Sequence, residues 1–274
     1  MKKTIVLGGD KRQRILSEIL NENKKDHACA FSDEEFSKLG GLIPFSTVIL
    51  PLPCTKDGKT LFSAENTLSL SFSEIEKGVR PGALVIGGNM PPEFCKKLTA
   101  CGVDVLDYFK DESFTVYNAF LTAQGAVRLL LENTQECVAG KRILVAGFGR
   151  IGQALSKMLF AFGADVYVAA RRKETLTKIS AYGYKALDAA NIENAVYLFD
   201  YIFNTVPFRI FTEKSVMLMK NGAVYFELAS SPFGAKKESF EKAKARYVSG
   251  SALPGRFCPR SCAEAVFERI SKYI

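Results

Sequence analysis

Short apolar runs recur along the chain with helical patterns between them. TIVLGG (4–9), HACAF (27–31), TVILPL (47–52), ALVIGG (83–88) and VDVLDY (103–108) predict strands. RQRILSEIL and PPEFCKKLTACG, which lie between them, have the spacing of amphipathic helices. Strand and helix in alternation imply a parallel sheet covered on both faces. Residues 112–137 predict one long helix, after which the alternation restarts. The second series of strands falls at 142–147, 165–170, 201–206, 223–229 and 246–251, each beside a helical pattern. The last amphipathic segment, RSCAEAVFERISKYI, can fold back onto the first half of the chain.

A length of 274 residues suits two domains, which leave room for a cleft. The pattern divides into a first domain at 1–115, a connecting helix at 116–137, a second domain at 138–258 and a tail helix at 259–274. Hydrophobic residues make up 47% and charged residues 24%, which excludes disordered, collagen-like and membrane classes. MKKTIVLGGD runs into a glycine turn rather than a signal core, so a cytoplasmic protein is expected. The net charge of +8 suits a small anion better than nucleic acid, because no basic stripe with interleaved aromatics accompanies it. The seven cysteines are odd in number and spread out, with no CxxC, so neither a disulfide framework nor a metal site is expected. The one close pair, in CPRSC (258–262), suits one face of a helix as well as a ligand set.

GFGRIG carries Gly147, Gly149 and Gly152 at the spacing of a dinucleotide-binding turn. It follows the apolar strand RILVA, opens a helix, and is followed by the strand DVYVAA, the context that gives the spacing meaning. The first glycine turns the chain, the second admits a pyrophosphate, and the third lets helix and strand pack, with the anion at the helix N-terminus. Phe148, Arg150 and Ile151 complete the turn. The fold class expected is therefore α/β, with two doubly wound parallel-sheet domains: a flavodoxin-like first domain and an NAD(P)-binding Rossmann second domain, joined by a long helix. An acid at the end of the second strand of such a unit would bind the ribose of NAD. Here the strand ends in Ala169 and Ala170 and runs into Arg171 and Arg172. Without the carboxylate there is no repulsion toward a 2′-phosphate, and a guanidinium grips phosphate through paired hydrogen bonds, which favours NADP over NAD. The plainer reading is that both arginines begin a solvated helix.

The single histidine, His27, lies in an early strand, so the histidine base of a hydroxyacid dehydrogenase has no counterpart. No serine or cysteine stands in a nucleophile motif. The remaining polar candidates fall at strand ends, where parallel sheets bind ligands: GGDKR, PLPCT, Asn89 in GGN, Asn204 to Pro207 (NTVP), Leu228 and Ala229 in LASSP, and ALPG. Asn204, Thr205, Val206, Pro207, Leu228 and Ala229 are expected to border the nicotinamide. Catalytic residues are not assigned.

IVLGGDKRQ, ILPLPCTKDGK, YNAFLTAQGA, GKRILVAGFGRIGQALSKML, FNTVP, FELASSPFG and ALPGRFCPRSCAE occur in that order over nearly the whole chain. In this the sequence resembles the A-type component of dipicolinate synthase, a family of two-domain relatives of the D-2-hydroxyacid and alanine dehydrogenases. The resemblance implies an NADP-dependent oxidoreductase subunit that works in the mother cell of a sporulating bacterium. With the flavoprotein-like B-type component of dipicolinate synthase it would form pyridine-2,6-dicarboxylate from a dihydro or hydroxytetrahydro precursor. A homo-oligomer is expected, with neither nucleic acid nor membrane as partner. A dicarboxylate calls for cations and donors, for which Arg12, Asn89, Asn118, Thr122, Gln124, Arg260 and Ser261 are the candidates. The chain departs from the family pattern in reading LTAQG, with Leu121 and Gln124 where proline and glutamate are expected. It also reads Phe233 before Gly234 where two glycines are expected, and Arg260 for a lysine. Gln124 cannot act as acid or base. Two other readings stay open: a two-domain NADP dehydrogenase of another small cyclic acid, and a nucleotide-binding regulatory or scaffold subunit without catalysis.

Overall fold

The computed structural model describes residues 3–274. They divide into two compact units, the first comprising residues up to Asn118 together with Cys258–Ile274, the second Ala119–Phe257. The first unit runs β1 (Thr4–Leu7), α1 (Lys11–Glu22), β2 (His27–Ala30), α2 (Asp33–Lys38), β3 (Thr47–Ile49), α3 (Phe72–Gly78), β4 (Leu84–Gly87), α4 (Pro92–Ala100) and β5 (Asp104–Asp107). α5 (Glu112–Glu132) leads into the second unit, with β6 (Arg142–Ala146), α6 (Arg150–Ala161), β7 (Asp165–Ala170), α7 (Lys173–Ala181) and β8 (Lys185–Asp188). There follow α8 (Ile192–Ala195), β9 (Tyr201–Asn204), α9 (Glu213–Met217), β10 (Val224–Glu227), β11 (Arg246–Ser249) and α10 (Leu253–Phe257); α11 (Pro259–Ile270) returns to the first unit.

Among the described residues the strands form two wholly parallel sheets, in the orders β2-β1-β3-β4-β5 and β11-β10-β9-β6-β7-β8. The first is the flavodoxin-like order and the second the Rossmann order, so both sheets agree with the expected fold class. Central strands such as β1, β3, β6 and β9 are buried almost throughout because helices cover both their faces. In the first unit Leu42, Phe72, Ile75 and Phe94 fill one face. Leu16, Ile19 and Leu20 of α1 fill the other with Ala263, Val266 and Ile270 of α11.

Three elements differ from the sequence pattern. β8 has no counterpart there: its residues, KALD, are mostly exposed at the sheet edge and carry no apolar run. The long helix ends at Glu132 rather than 137. There Asn133 Nδ2 donates to Leu129 O (2.8 Å) and Arg246 donates to Asn133 O (2.8 Å), which turns the chain away. The helix is also shared between the units rather than standing as a separate connector over 116–137. After β10 the expected helix is replaced by one 3₁₀ turn, Lys237–Phe240, in a segment interrupted by Pro232 and Gly234.

Glycine explains one motif of the long helix. A Cβ on Gly125 would lie 2.8 Å from Leu253 Cβ, so QGA in α5 and LPG in α10 pack at a distance only glycine permits. No helix among the described residues is long and apolar enough to cross a membrane.

Candidate functional site

In the turn between β6 and α6 two of the three glycines, Gly147 and Gly152, each meet a separate backbone requirement. Gly147 is left-handed (φ +99°), and a Cβ there would meet Thr205 Oγ1 at 2.5 Å. A Cβ on Gly152 would lie 2.1 Å from Gly147 O, so the helix can start only against a glycine. Gly149 is different: nothing lies within 4 Å of a Cβ built there, and it caps α6 without any side-chain bond. The free N–H groups of a twelve-residue helix therefore open onto space at this end, where an anion is favoured by both donors and dipole. The cradle fits the pyrophosphate of a dinucleotide. Phe148 turns away from it to pack on Tyr182 and Tyr184, with ring centroids 6.1 and 6.3 Å away. Ile151 is half-buried and Arg150 exposed.

At the end of β7, Arg171 and Arg172 are both exposed. Neither pairs with a carboxylate among the described residues. Arg172 occupies the N-cap of α7 without a capping side chain.

Beside the turn, the ends of β9 and β10 are tied by a buried carboxylate. Glu227 is 2% exposed and accepts from Asn204 Nδ2 (2.6 Å), Tyr225 OH (2.9 Å), Ala229 N (3.1 Å) and Gly234 N (2.8 Å). Four neutral donors replace water around one anion, and no cation is among them. Burial first, and then the charge of Glu227, pushes the Tyr225 phenol well up, so it stays a donor. Asn204 is wholly buried; besides Glu227 it donates to Val206 O (3.0 Å) and accepts from Val206 N (3.1 Å). Thr205 Oγ1 donates to Ala146 O (2.8 Å). The side chains of Asn204 and Thr205 are thus engaged by the protein and shape the wall of the site. Val206, Leu228 and Ala229 lie along the same strand ends, and Pro207 is exposed. Gly234 closes the knot: a Cβ would stand 2.4 Å from Asn204 Nδ2 and 2.7 Å from Tyr225 OH.

The first unit holds a second polar knot. Asp10 caps α1 and binds the Arg12 guanidinium (Nε 2.9 Å, Nη2 2.8 Å), which also donates to Leu52 O. Burial opposes the Arg12 charge, but Asp10 and the Cys262 sulfur raise its pKa on balance. Cys262 Sγ lies 4.0 Å from Arg12 Nη1 and 4.0 Å from Asn118 Oδ1, so Arg12 and Asn118 meet at the first turn of α11. Ser261 is half-buried on the same turn. The other substrate candidates are not in this group. Arg260 points outward to Glu22 (3.1 Å) and Glu264 (3.0 Å). Thr122 is buried and Gln124 exposed on α5, two residues apart and so on opposite sides. Asn89 is exposed and left-handed, its N–H donating to Asp107 Oδ1 (2.9 Å).

Sequence reasoning missed Glu227, and included Asp10 only within the strand-end segment GGDKR, with no role assigned to it. An acid ending the apolar run VYF was the available signal for Glu227. For Asp10 it was an acid directly before a helical pattern.

Residues 3–109 match the family model for the N-terminal domain of the dipicolinate synthase A-type component. Residues 117–246 match that of the D-isomer specific 2-hydroxyacid dehydrogenase NAD binding domain. The A-type component of dipicolinate synthase from Bacillus subtilis (strain 168) is 25% identical over 286 residues, covering 99% of this chain and 95% of its own. Among solved structures, its counterpart from Bacillus halodurans superposes with a TM-score of 0.85 at 20% identity, over 99% of this chain and 97% of that one. A transhydrogenase from Sinorhizobium meliloti shares the fold at a TM-score of 0.66 and 15% identity, over 98% and 94%.

Proposed function

We propose, for a chain that resembles the A-type component of dipicolinate synthase in both its halves, that it is the NADP-dependent subunit of an oxidoreductase forming pyridine-2,6-dicarboxylate. The observation that carries the cofactor assignment is the pair of exposed, unpaired arginines at the end of β7, where an NAD site would hold an acid. Gly147, Gly149 and Gly152 leave room for the pyrophosphate, and Arg171 and Arg172 would hold the 2′-phosphate. The nicotinamide, when bound, supplies a hydride acceptor. Asn204, held by Glu227, and Thr205, held by Ala146 O, keep the surrounding loops rigid and unable to swing their side chains into the reaction.

Aromatising a dihydropyridine ring releases a hydride from one carbon and a proton from another, and the gain in aromaticity lessens the need for a strong base. That fits a chain whose one histidine, His27, is engaged with Ser17 (2.7 Å) and Lys25 O (2.9 Å). A flavoprotein-like partner component and the cytoplasm of a sporulating cell complete this reading. Gln124, an exposed amide, favours one alternative, a nucleotide-binding scaffold without turnover.

Titration with NADPH and NADH tests the cofactor. NADPH is expected to bind more tightly, with about a tenfold loss in Arg171→Ala or Arg172→Ala, the effect of one charge-assisted phosphate contact. Equal affinities in the wild type, or no loss in either variant, would overturn the assignment. Tight NADPH binding without NADP reduction, with the flavoprotein-like partner and the product of dihydrodipicolinate synthase both present, would favour the scaffold.

A further inference from the structure

The second unit has a concavity of ≈530 Å³ at the ends of β10 and β11, and none of its lining residues belongs to the glycine-rich turn. Its wall carries Arg209, Lys236 and Lys237 against one acid, Glu238. Lys236 is shared with Glu213 (3.3 Å). The side chains of Arg209 and Lys237 have no hydrogen-bonded or ion-paired acceptor among the described residues. Arg209 stands close enough to the buried phenol of Tyr225 and the half-buried phenol of Tyr247 to counter, in part, the upward push of burial on both. Cations gathered on one wall repel each other unless an anion joins them.

Two further features say what sort of anion. Phe233, on the rim, is 43% exposed and held at φ 60°, a left-handed conformation that a bulky residue adopts only under strain. Tyr247 contributes a second aromatic surface, fixed by stacking on Tyr225 at 5.7 Å. The two unpaired cations come from different loops, Arg209 after β9 and Lys237 after β10, which are joined where Ile210 N and Phe211 N donate to Gly234 O (3.1 and 2.9 Å). Cations on separate loops suit two separate acidic groups, and the aromatic walls suit a flat body between them, features that an inorganic anion would leave unused.

We propose that this concavity is a second ligand site, which binds a small, flat, unsaturated dicarboxylate between Arg209 and Lys237 with Phe233 against its face. The inference rests on the second unit alone and does not depend on the hydride-transfer reading.

The test is calorimetric titration of the full chain, without nucleotide, with pyridine-2,6-dicarboxylate. Saturable binding is expected, weakened about tenfold in Arg209→Ala and by a smaller factor in Lys237→Ala, as for the loss of one charge-assisted contact. Phe233→Gly is expected to weaken binding while leaving thermal stability equal or higher, because it removes the ring and relieves the strain together. Absence of saturable binding, or equal binding in wild type and Arg209→Ala, would overturn the site. Equally tight binding of inorganic phosphate would overturn the dicarboxylate assignment. NADPH affinity is expected to be unchanged in Arg209→Ala; a parallel loss would merge the pocket with the cofactor site and overturn its separateness.

Discussion

The two units bury charge at the ends of their parallel strands in opposite ways. After β1 the carboxylate of Asp10 faces the guanidinium of Arg12, and both side chains keep some contact with solvent (16% and 10%). At the end of β10 the carboxylate of Glu227 has no cation and is held by four neutral donors, two of them backbone N–H groups. In the first case a charge is balanced by its opposite, and either member can relax toward water if the other is lost. In the second, the anion is the common acceptor for groups drawn from β9, β10 and the loop beyond, and among the described residues only the Asn204 amide has a further acceptor, Val206 O. A buried acid solvated by dipoles is therefore the more rigid device, and it is the one that lies beside the nucleotide turn.

The contrast can be broken by removing each acceptor or cation in turn. Glu227→Ala leaves an amide, a phenol and two backbone N–H groups buried without that acceptor, and is expected to cost about 4 kcal/mol, read as a lower urea midpoint at unchanged m-value. Glu227→Gln should cost less but still measurably; stability equal to wild type would show that the four donors do not require an anion. Arg12→Met is expected to cost about 2 kcal/mol, because Asp10 can turn its carboxylate to solvent. If it costs as much as Glu227→Ala, the distinction between the two knots fails.

Alkaline titration sharpens the comparison through neighbouring groups. Burial lifts the Cys54 thiol of the first unit from 9.0 to about 12. It lifts the Tyr247 phenol of the second from 10.0 to about 12, with the charge of Glu227 adding to it. Both are raised in the folded state, so their contribution to stability is present below the ordinary pKa and lost as pH rises toward the folded value. Urea midpoints are expected to fall between pH 9 and 12. Cys54→Ala should lessen the early part of the fall and Tyr247→Phe a share of the later part, the rest of which belongs to the buried phenols of Tyr108 and Tyr225. The smallest effect belongs to Arg260→Ala, whose exposed pairs with Glu22 and Glu264 are screened by water; its unfolding midpoint is expected to match wild type.

The glycine turn was legible in the sequence because Gly147 and Gly152 answer backbone requirements set by the strand–turn–helix context, and Gly149 leaves open space in front of the helix end. The alternation of strands was legible for a similar reason, since central parallel strands are apolar on both faces. β8 escaped because an edge strand with exposed KALD has no such signature. The polar knots escaped because their partners are far apart in sequence: Asn204 with Glu227, and Arg12 with Leu52 and Cys262. Arg12 read as a cation for a substrate, yet Asp10 and Leu52 O already take its donors. Arg260 read the same way, and its guanidinium points to surface acids instead.

The return of α11 to the first unit has a consequence for synthesis. Residues 119–257 leave the ribosome as one uninterrupted unit, while the face of α1 formed by Leu16, Ile19 and Leu20 waits for Ala263, Val266 and Ile270, which are made last of all these. The nucleotide-binding half can thus mature on the nascent chain before the half that was made first, and until α11 emerges the earlier half carries an uncovered oily surface of the kind that chaperones hold.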